Sequence, residues 1–417
     1  MKILFLGSNY WPDETGNAMF VTGRCEYLAS RGHNVTICTG FPYYPEWRPR
    51  EEYRGRYFMR EKHNGVEIVR SPLYVPQRIT SMGRILHEIS FIASSLVTAM
   101  WQEKPDLLYI VSAPLGLAVS AYLLSHRWRI PYVFYVADMQ PDTAAHLNML
   151  PAPVMRFLYA LESFAYRNAA LIPTLTEGMR QKIISKGIAP EKVVIFSHCA
   201  NQPLFDIPAH RGGQSFRRTH NLEGQFIVLH SGNIGVKQGL EVVVEAAART
   251  RQNSAITYVL VGDGAARPVL QQRTAELGLS NVRFLPIQPK EVFWDMLGAA
   301  DVCVITEKSS VGDILFPGKT VDFLSAGRAV IASISVTNEA ARIVSGVGAG
   351  LVVTPEDPDA FAAAVTYLKD NETERMKMGE RGRAYAREHW DRHRILPVME
   401  STLAALVRGG DLRQQAA

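Results

Sequence analysis

The sequence predicts an α/β protein made of two doubly wound, Rossmann-like domains of similar size. Three observations carry this. Short β-branched and aromatic runs alternate with segments of helical period, the pattern of parallel strands covered by helices. The alternation comes in two series, parted near residue 205 by the polar, glycine-bearing stretch DIPAHRGGQSFRRTHNLEGQ. And 417 residues are too many for one ordinary hydrophobic core.

In the first series the strand candidates are KILFLG (2–7), VTICTG (35–40), LLYIVS (107–112), YVFYVA (132–137) and LIPTL (171–175). In the second they are FIVLHSG (226–232), TYVLVGDG (257–264), VRFLPI (282–287), DVCVIT (301–306), AVIAS (329–333) and GLVV (350–353). The expected domains are therefore 1–205 and 206–387, with a linker after 205. Helical text over 388–408 crosses back to the first domain, and 409–417 reads as a frayed tail. Each series opens alike, with a strand, a glycine-containing loop and a helix.

The chain is 47% hydrophobic and 20% charged, which fits ordered globular domains and excludes extended disorder. A net charge of +5 admits anionic ligands or a bilayer surface without pointing to nucleic acid. Cys25, Cys38, Cys199 and Cys303 are scattered, arguing against structural zinc or a disulfide framework and suiting a reducing cytosol. The opening MKILFLGSN has an apolar run too short for a signal peptide. The longest uncharged stretch, ISFIASSLVTAMW (89–101), falls short of the roughly 18 apolar residues that span a bilayer. A soluble or peripheral protein is expected.

Several loops carry chemistry-bearing residues. In HSGNIGVKQGLE (230–241), Gly232 and Gly235 remove side-chain bulk after a strand, so that a phosphate can approach backbone amides, and Lys237 adds a mobile point charge. Neither the P-loop nor the dinucleotide fingerprint is present, and a plain βα turn with a solvated lysine is the competing reading. YWPDETGNAMF (10–20) offers Gly16 for close approach and Asn17 or Thr15 as a helix cap, against a simple N-cap. In DILFPGKTVDFLSAGRAVIAS (313–333), Gly318 exposes its amide and Lys319 opposes the dipole at a helix start, which is unfavourable unless an anion lies beside it. Asp322 shares that helix face and can accept from vicinal hydroxyls, unless it simply pairs with Lys319 at the surface. VADMQPDTA (136–144) sets Asp138 and Asp142 just past a strand, where open α/β sheets bind ligands and where surface loops also carry solvated acids. His198 and His230 end strands and read as structural.

On the segment 78–101, Leu86, Ile89, Ala93, Leu96, Val97 and Met100 share a helical face, with Arg78 and Arg84 at its start and Phe91 off it. Two readings stand: a helix packing into the core, or an interfacial helix beside anionic lipid. RPREEYRGRYFMREK (48–62) adds a basic, aromatic patch whose glutamates weaken a nucleic-acid reading.

Together these segments resemble the family 4 retaining glycosyltransferases of GT-B architecture, nearest the bacterial enzymes of colanic acid, capsule and O-antigen synthesis. The resemblance covers nearly the whole chain. It is carried by YWPDETGN, PYYPEW, RILHEISF, VADMQPD, SGNIGVKQGLE, VGDGAAR, VRFLPI, AADVCVI and FPGKTVDFLSAGRAVIAS. It implies two Rossmann-like domains with parallel sheets facing across a cleft that holds the diphosphate of a UDP- or GDP-sugar. By the same resemblance Lys237 neutralises the leaving phosphates and Asn233 stands where many relatives carry arginine. Gly232 belongs to that loop; Gly16 and Asn17 approach from the other domain; backbone groups of Phe284, Leu285 and Pro286 meet the base. Gly318 and Lys319 lie in the family's P-S-K position, and Asp322 matches the second glutamate of E-x7-E and binds ribose. Asp138 orients or deprotonates the acceptor hydroxyl.

Two positions depart from the pattern: the first glutamate of E-x7-E falls at Ile314, and the serine of P-S-K is Gly318. The implied reaction retains anomeric configuration, with a donor phosphate oxygen accepting the acceptor's proton and charge on the leaving oxygen stabilised by Lys237 and loop amides. No metal or cofactor is implied. The implied acceptor is a polyprenyl-diphosphate-linked saccharide, and the implied location is the inner face of the cytoplasmic membrane, with peripheral attachment. A nucleotide-sugar epimerase of the same shape, or a silent nucleotide-sugar-binding subunit, is the competing function.

Overall fold

The structure is a computed structural model that describes residues 1–410 apart from 14–16, 44–46, 79, 147–149, 209–211 and 312–315. The chain divides into two compact units, Met1–Ser197 with Ile395–Ala417, and His198–Arg394.

Unit 1 holds strands β1 (Lys2–Leu6), β2 (Asn34–Gly40), β3 (Met59–His63), β4 (Val66–Ser71), β5 (Leu107–Val111) and β6 (Tyr132–Tyr135), ordered β3-β4-β2-β1-β5-β6. All neighbours are parallel except β3 with β4. A short parallel pair, β7 (Ile172–Thr174) and β8 (Val193–Ile195), continues beyond β6 through bridges at Val133–Leu171 and Val136–Thr174. Its helices are α1 (Asn17–Ser30), α2 (Ser81–Met100), α3 (Leu117–Trp128), α4 (Gln140–His146), α5 (Ala152–Asn168) and α6 (Glu177–Ser185).

Unit 2 begins with α7 (Gln214–Thr219). Its all-parallel sheet comprises β9 (Phe226–Ser231), β10 (Ile256–Val261), β11 (Val282–Leu285), β12 (Val302–Thr306), β13 (Ala329–Ser333) and β14 (Gly350–Val353), ordered β11-β10-β9-β12-β13-β14. Its helices are α8 (Glu241–Arg249), α9 (Arg267–Glu276), α10 (Lys290–Ala299), α11 (Lys319–Ser325), α12 (Glu339–Gly346), α13 (Pro358–Asp370) and α14 (Glu372–His389); α15 (Arg392–Val407) follows. Strands such as β5, β10 and β12 are buried at every residue, because helices cover both faces of each sheet; this is why they read as unbroken apolar runs. Strand order reverses between β1 and β5 and between β9 and β12, so each unit has its switch-point crevice at the carboxyl ends of those strands.

Five elements differ from the sequence reading. β3, β4 and β8 were not expected. β3 lies inside the stretch read as a basic patch, since an edge strand tolerates charges such as Arg60, Glu61 and Lys62. The supposed linker folds in part as α7, whose Phe216 amide donates to the Asp295 carboxylate of α10 at 2.6 Å. At the far end of the chain, Glu400 of α15 accepts from Tyr27 at 2.9 Å and Arg31 at 3.2 Å, against the end of α1.

The apolar face of α2 is the fifth difference. Its inner side is Gly83, His87, Phe91, Ser95, Thr98 and Ala99, mostly small or polar, whereas Leu86, Ile89, Ala93, Val97 and Met100 are exposed and Leu96 half-buried. Thr80 caps the helix, accepting from the Gly83 amide at 3.1 Å. The core-packing reading is therefore corrected: the side buried against β2 and β4 is the one built from small residues, and the apolar stripe faces outward.

A charge network ties α4, α5 and α6 together. Lys186 reaches Asp142 at 2.5 Å and the buried Glu162 at 2.7 Å, and Tyr166 donates to Glu162 at 3.0 Å. Asp142 is thus engaged in the scaffold, and the reading of it as a solvated loop acid is corrected too. Lys186→Ala would leave Glu162 buried without its cation. A loss of about 2–3 kcal/mol is expected, read as a lower urea midpoint with unchanged slope.

Candidate functional site

The strongest concentration of unusual side chains in unit 2 lies past the carboxyl ends of β9 and β12. It begins with close backbone packing. Gly232 donates to the Val261 carbonyl at 3.0 Å and Ile234 to Asp263 at 2.8 Å, locking the turn after β9 onto the turn after β10. At Gly262, with φ +143°, a Cβ would fall 1.8 Å from the Gly232 oxygen, so no side chain fits. Gly232 has φ +128°, and a Cβ there would stand 3.7 Å from the Lys319 ammonium nitrogen. The glycines therefore serve close packing of two turns as well as leaving space above Gly232.

Lys319 opens α11, where its charge opposes the helix dipole. Its ammonium turns to His230, whose Nδ1 lies 3.4 Å away. His230 is fully buried, and burial, with Lys319 beside it, holds its imidazole well below the usual range, hence neutral. A neutral imidazole can accept from the ammonium at Nδ1, while among the described residues Nε2 makes no hydrogen bond. Burial lowers Lys319 itself to about 8, partly offset by Glu307. Glu307, only 6% exposed, follows β12 and accepts from Asn338 Nδ2 at 3.3 Å; Asn338 also caps α12. Burial raises its carboxyl to about 7, against the pull of Lys237 and Lys319.

Lys237 sits on the short helical turn Val236–Gln238, half-buried, and its carbonyl accepts from the Lys308 amide at 2.9 Å, next to Glu307. Two lysines, one buried acid and one neutral imidazole thus share one region. Asp322 is half-buried on α11, raised to about 7 by burial, and among the described residues makes no hydrogen bond or ion pair through its carboxylate. The alternative of a surface pair with Lys319 does not hold, because Lys319 faces His230.

The structure places the remaining expected residues as follows. Gly232 and Asn233 lie on the locked turn, and Gly318 is the cap residue before α11. Phe284 and Leu285 end β11, and the Leu285 carbonyl already accepts the Gly262 amide at 3.1 Å, leaving Pro286 exposed beyond it. In unit 1, Asn17 starts α1, and Asp138, half-buried after β6, accepts from Thr143 at 3.1 Å. Gly16 and Ile314 lie outside the described residues. Among the described residues no group of three or more His, Cys, Asp or Glu is arranged to hold a metal ion.

Two members of the cluster escape sequence reading. His230 reads as a structural strand end, and Glu307 belongs to no motif read from the sequence. The available signal was an acid placed immediately after the largely apolar strand VCVIT.

Glu307 makes stability depend on pH. A carboxyl lying near 7 when folded and 4.5 when unfolded favours the fold while protonated, and that contribution disappears as pH rises through about 7. Between about pH 5 and about pH 8 the protein should lose roughly 2 kcal/mol relative to Glu307→Gln. Denaturation midpoints of both across that range give the check.

Comparison with known proteins completes the picture. Residues 15–198 match the model of the glycosyl transferase 4-like domain, and residues 214–385 that of glycosyl transferases group 1. The chain is 32% identical over 373 residues to the putative colanic acid biosynthesis glycosyl transferase WcaI of Escherichia coli, covering 88% of this chain and 91% of that one. The fold is shared with Anabaena HepE in complex with UDP, at TM-score 0.72 and 19% identity over 97% of this chain and 100% of that one. It is shared also with WaaG, a glycosyltransferase involved in lipopolysaccharide biosynthesis, at TM-score 0.71 and 17% identity over 98% and 100%. With both halves matched and a relative at this identity along nearly its full length, the chain belongs to the group 1, family 4-like glycosyltransferases of GT-B fold.

Proposed function

We propose that this protein is a retaining transferase that moves a sugar from a UDP- or GDP-sugar to a polyprenyl-diphosphate-linked saccharide in bacterial surface polysaccharide synthesis. The observation that carries the donor half is the charge balance around Gly232. Lys319 and Lys237 both bring ammonium groups, and burial holds the neighbouring Glu307 carboxyl toward its neutral form. Two ammonium groups with so little counter-charge suit a diphosphate. HepE, of the same fold, has been crystallised with UDP and with UDP-glucose.

In this reading Lys237 and Lys319 take up charge as it develops on the leaving diphosphate, with amides of the turn at Gly232 and Asn233 beside them. Asp322 accepts from ribose hydroxyls, and Phe284, Leu285 and Pro286 flank the base. Gly318 keeps the approach to α11 open. On unit 1, Gly16 and Asn17 meet donor groups and Asp138 orients the acceptor hydroxyl, with Thr143 holding its carboxylate. The donor's own phosphate oxygen takes the acceptor proton, and neither a metal ion nor a resident cofactor is assigned a step.

A lipid-linked acceptor requires the enzyme at a bilayer. No described helix is long and apolar enough to cross a membrane. The outward apolar stripe of α2, with Arg78 and Arg84 at its start, supports peripheral docking on anionic lipid at the inner face of the cytoplasmic membrane.

Incubation with a panel of UDP- and GDP-sugars and a lipid-linked saccharide tests the function. Nucleotide release that needs acceptor supports transfer; donor conversion without acceptor would mean epimerisation, and binding without turnover a silent subunit. Lys237→Ala should lower turnover at least about 100-fold with unchanged melting; full turnover would remove that lysine from the chemistry. Replacing Arg78 and Arg84 by alanine should cut pelleting with anionic vesicles about tenfold.

A further inference from the structure

The outward stripe of α2 does not end with α2. Helix α3 packs against both α2 and α5, so the three form one layer over unit 1, and Tyr122 of α3 meets Phe164 of α5 with ring centroids 5.0 Å apart. On α3, Val119 and Leu123 are exposed at 42% and 48%. On α5, Val154 and Phe157 are exposed at 39% and 65%. Within each helix the two lie one turn apart, on one outward face.

The exposed charges on this layer are mostly positive, with Glu88 one turn from Arg84 as the exception. Arg84 on α2, Arg127 one turn beyond Leu123, and Arg156 beside Phe157 are exposed, and among the described residues none forms an ion pair. The exposed carboxylate of the three helices is Glu88 alone, since Glu162 is buried against Lys186. At the end of α2 the exposed rings of Trp101 and Phe58 stand 6.0 Å apart. Beside them an apolar groove of about 400 Å³ runs between Ala93 and Val97 on one side and Pro72 to Tyr74 on the other.

We infer that the whole α2–α3–α5 layer, and not α2 alone, is a docking face for an anionic lipid bilayer, with Leu123 and Phe157 as inserted anchors. The inference rests on the proposed lipid-linked acceptor and extends its membrane contact to two more helices. Large exposed apolar faces on a soluble unit mark interaction surfaces. Unpaired arginines spaced between apolar side chains match phosphate head groups, their aliphatic stems lying along the acyl boundary while the guanidinium reaches the phosphate. Trp and Phe at the margin sit where aromatic rings favour the membrane–water boundary.

The test uses the full chain and vesicles of phosphatidylcholine with about one-third phosphatidylglycerol. Leu123→Ser with Phe157→Ser should lower vesicle partition about tenfold, with melting and UDP affinity unchanged. Phe157→Trp should show a blue shift on vesicle addition and quenching by brominated lipid, measured against the native chain; this readout stands even if the double variant folds poorly. If Ile85→Ser with Ile89→Ser abolishes partition while the Leu123 and Phe157 variants neither lose it nor report insertion, the wider face is overturned and the α2 contact survives. If the native chain fails to partition at all, both membrane readings fall, while UDP binding still reports separately on the donor site. Concentration-dependent self-association that Phe157→Ser abolishes would give the face to a second copy and overturn the proposal.

Discussion

A lysine ammonium buried against a neutral histidine sets the terms for the site in unit 2. Lys319 lies 3.4 Å from His230 Nδ1, a spacing that a second cation would oppose, so the imidazole must stay unprotonated. Complete burial of His230 secures this. Burial in turn depends on the turns after β9 and β10 lying backbone to backbone, and that approach leaves no room for a Cβ at Gly262. A cation at the start of α11 also works against the helix dipole. The arrangement therefore holds charge at a cost to the fold, as sites evolved for an ionic ligand do.

Much of the fold was legible because buried parallel strands are written as continuous apolar runs. β12 could be read to within a residue at each end and β10 to within three for that reason. β3 could not: an edge strand has one flank in solvent and carries Arg60, Glu61 and Lys62 where an inner strand carries valine. α7 was hidden by the glycines before it. In the candidate site, Lys319 stood out because a lysine at a helix start is locally unfavourable. Glu307 did not stand out. What sets it apart is burial beside Asn338, 31 residues later in the chain, and no local pattern encodes that contact.

The helix α2 shows a different limit. Periodicity locates an apolar face but says nothing about which way it points. Here the inward positions are filled by Gly83, Ser95, Thr98 and Ala99 around Phe91, which lets α2 lie close to β2 and β4. Small residues inside and large ones outside invert the usual amphipathic arrangement. The same sequence would read identically in a protein where the stripe met the core, so only the packing of the sheet separates the two cases.

Burial and ligand charge are coupled in this site through reciprocal linkage. Without an anion, burial lowers Lys319 and raises Glu307, so each drifts toward its neutral form. A diphosphate placed between the lysines would favour the ammonium form of Lys319, raising its value back toward the ordinary range. In the proposed reaction that ammonium charge would stabilise the leaving group as the sugar–phosphate bond lengthens. The same anion would favour the protonated form of Glu307, whose negative charge would otherwise repel it. A carboxyl that already sits near neutrality gives up its charge at little cost when the anion arrives, whereas one fixed as a carboxylate would oppose binding throughout. A buried glutamate among the lysines is therefore compatible with anion binding, because burial has removed much of its charge.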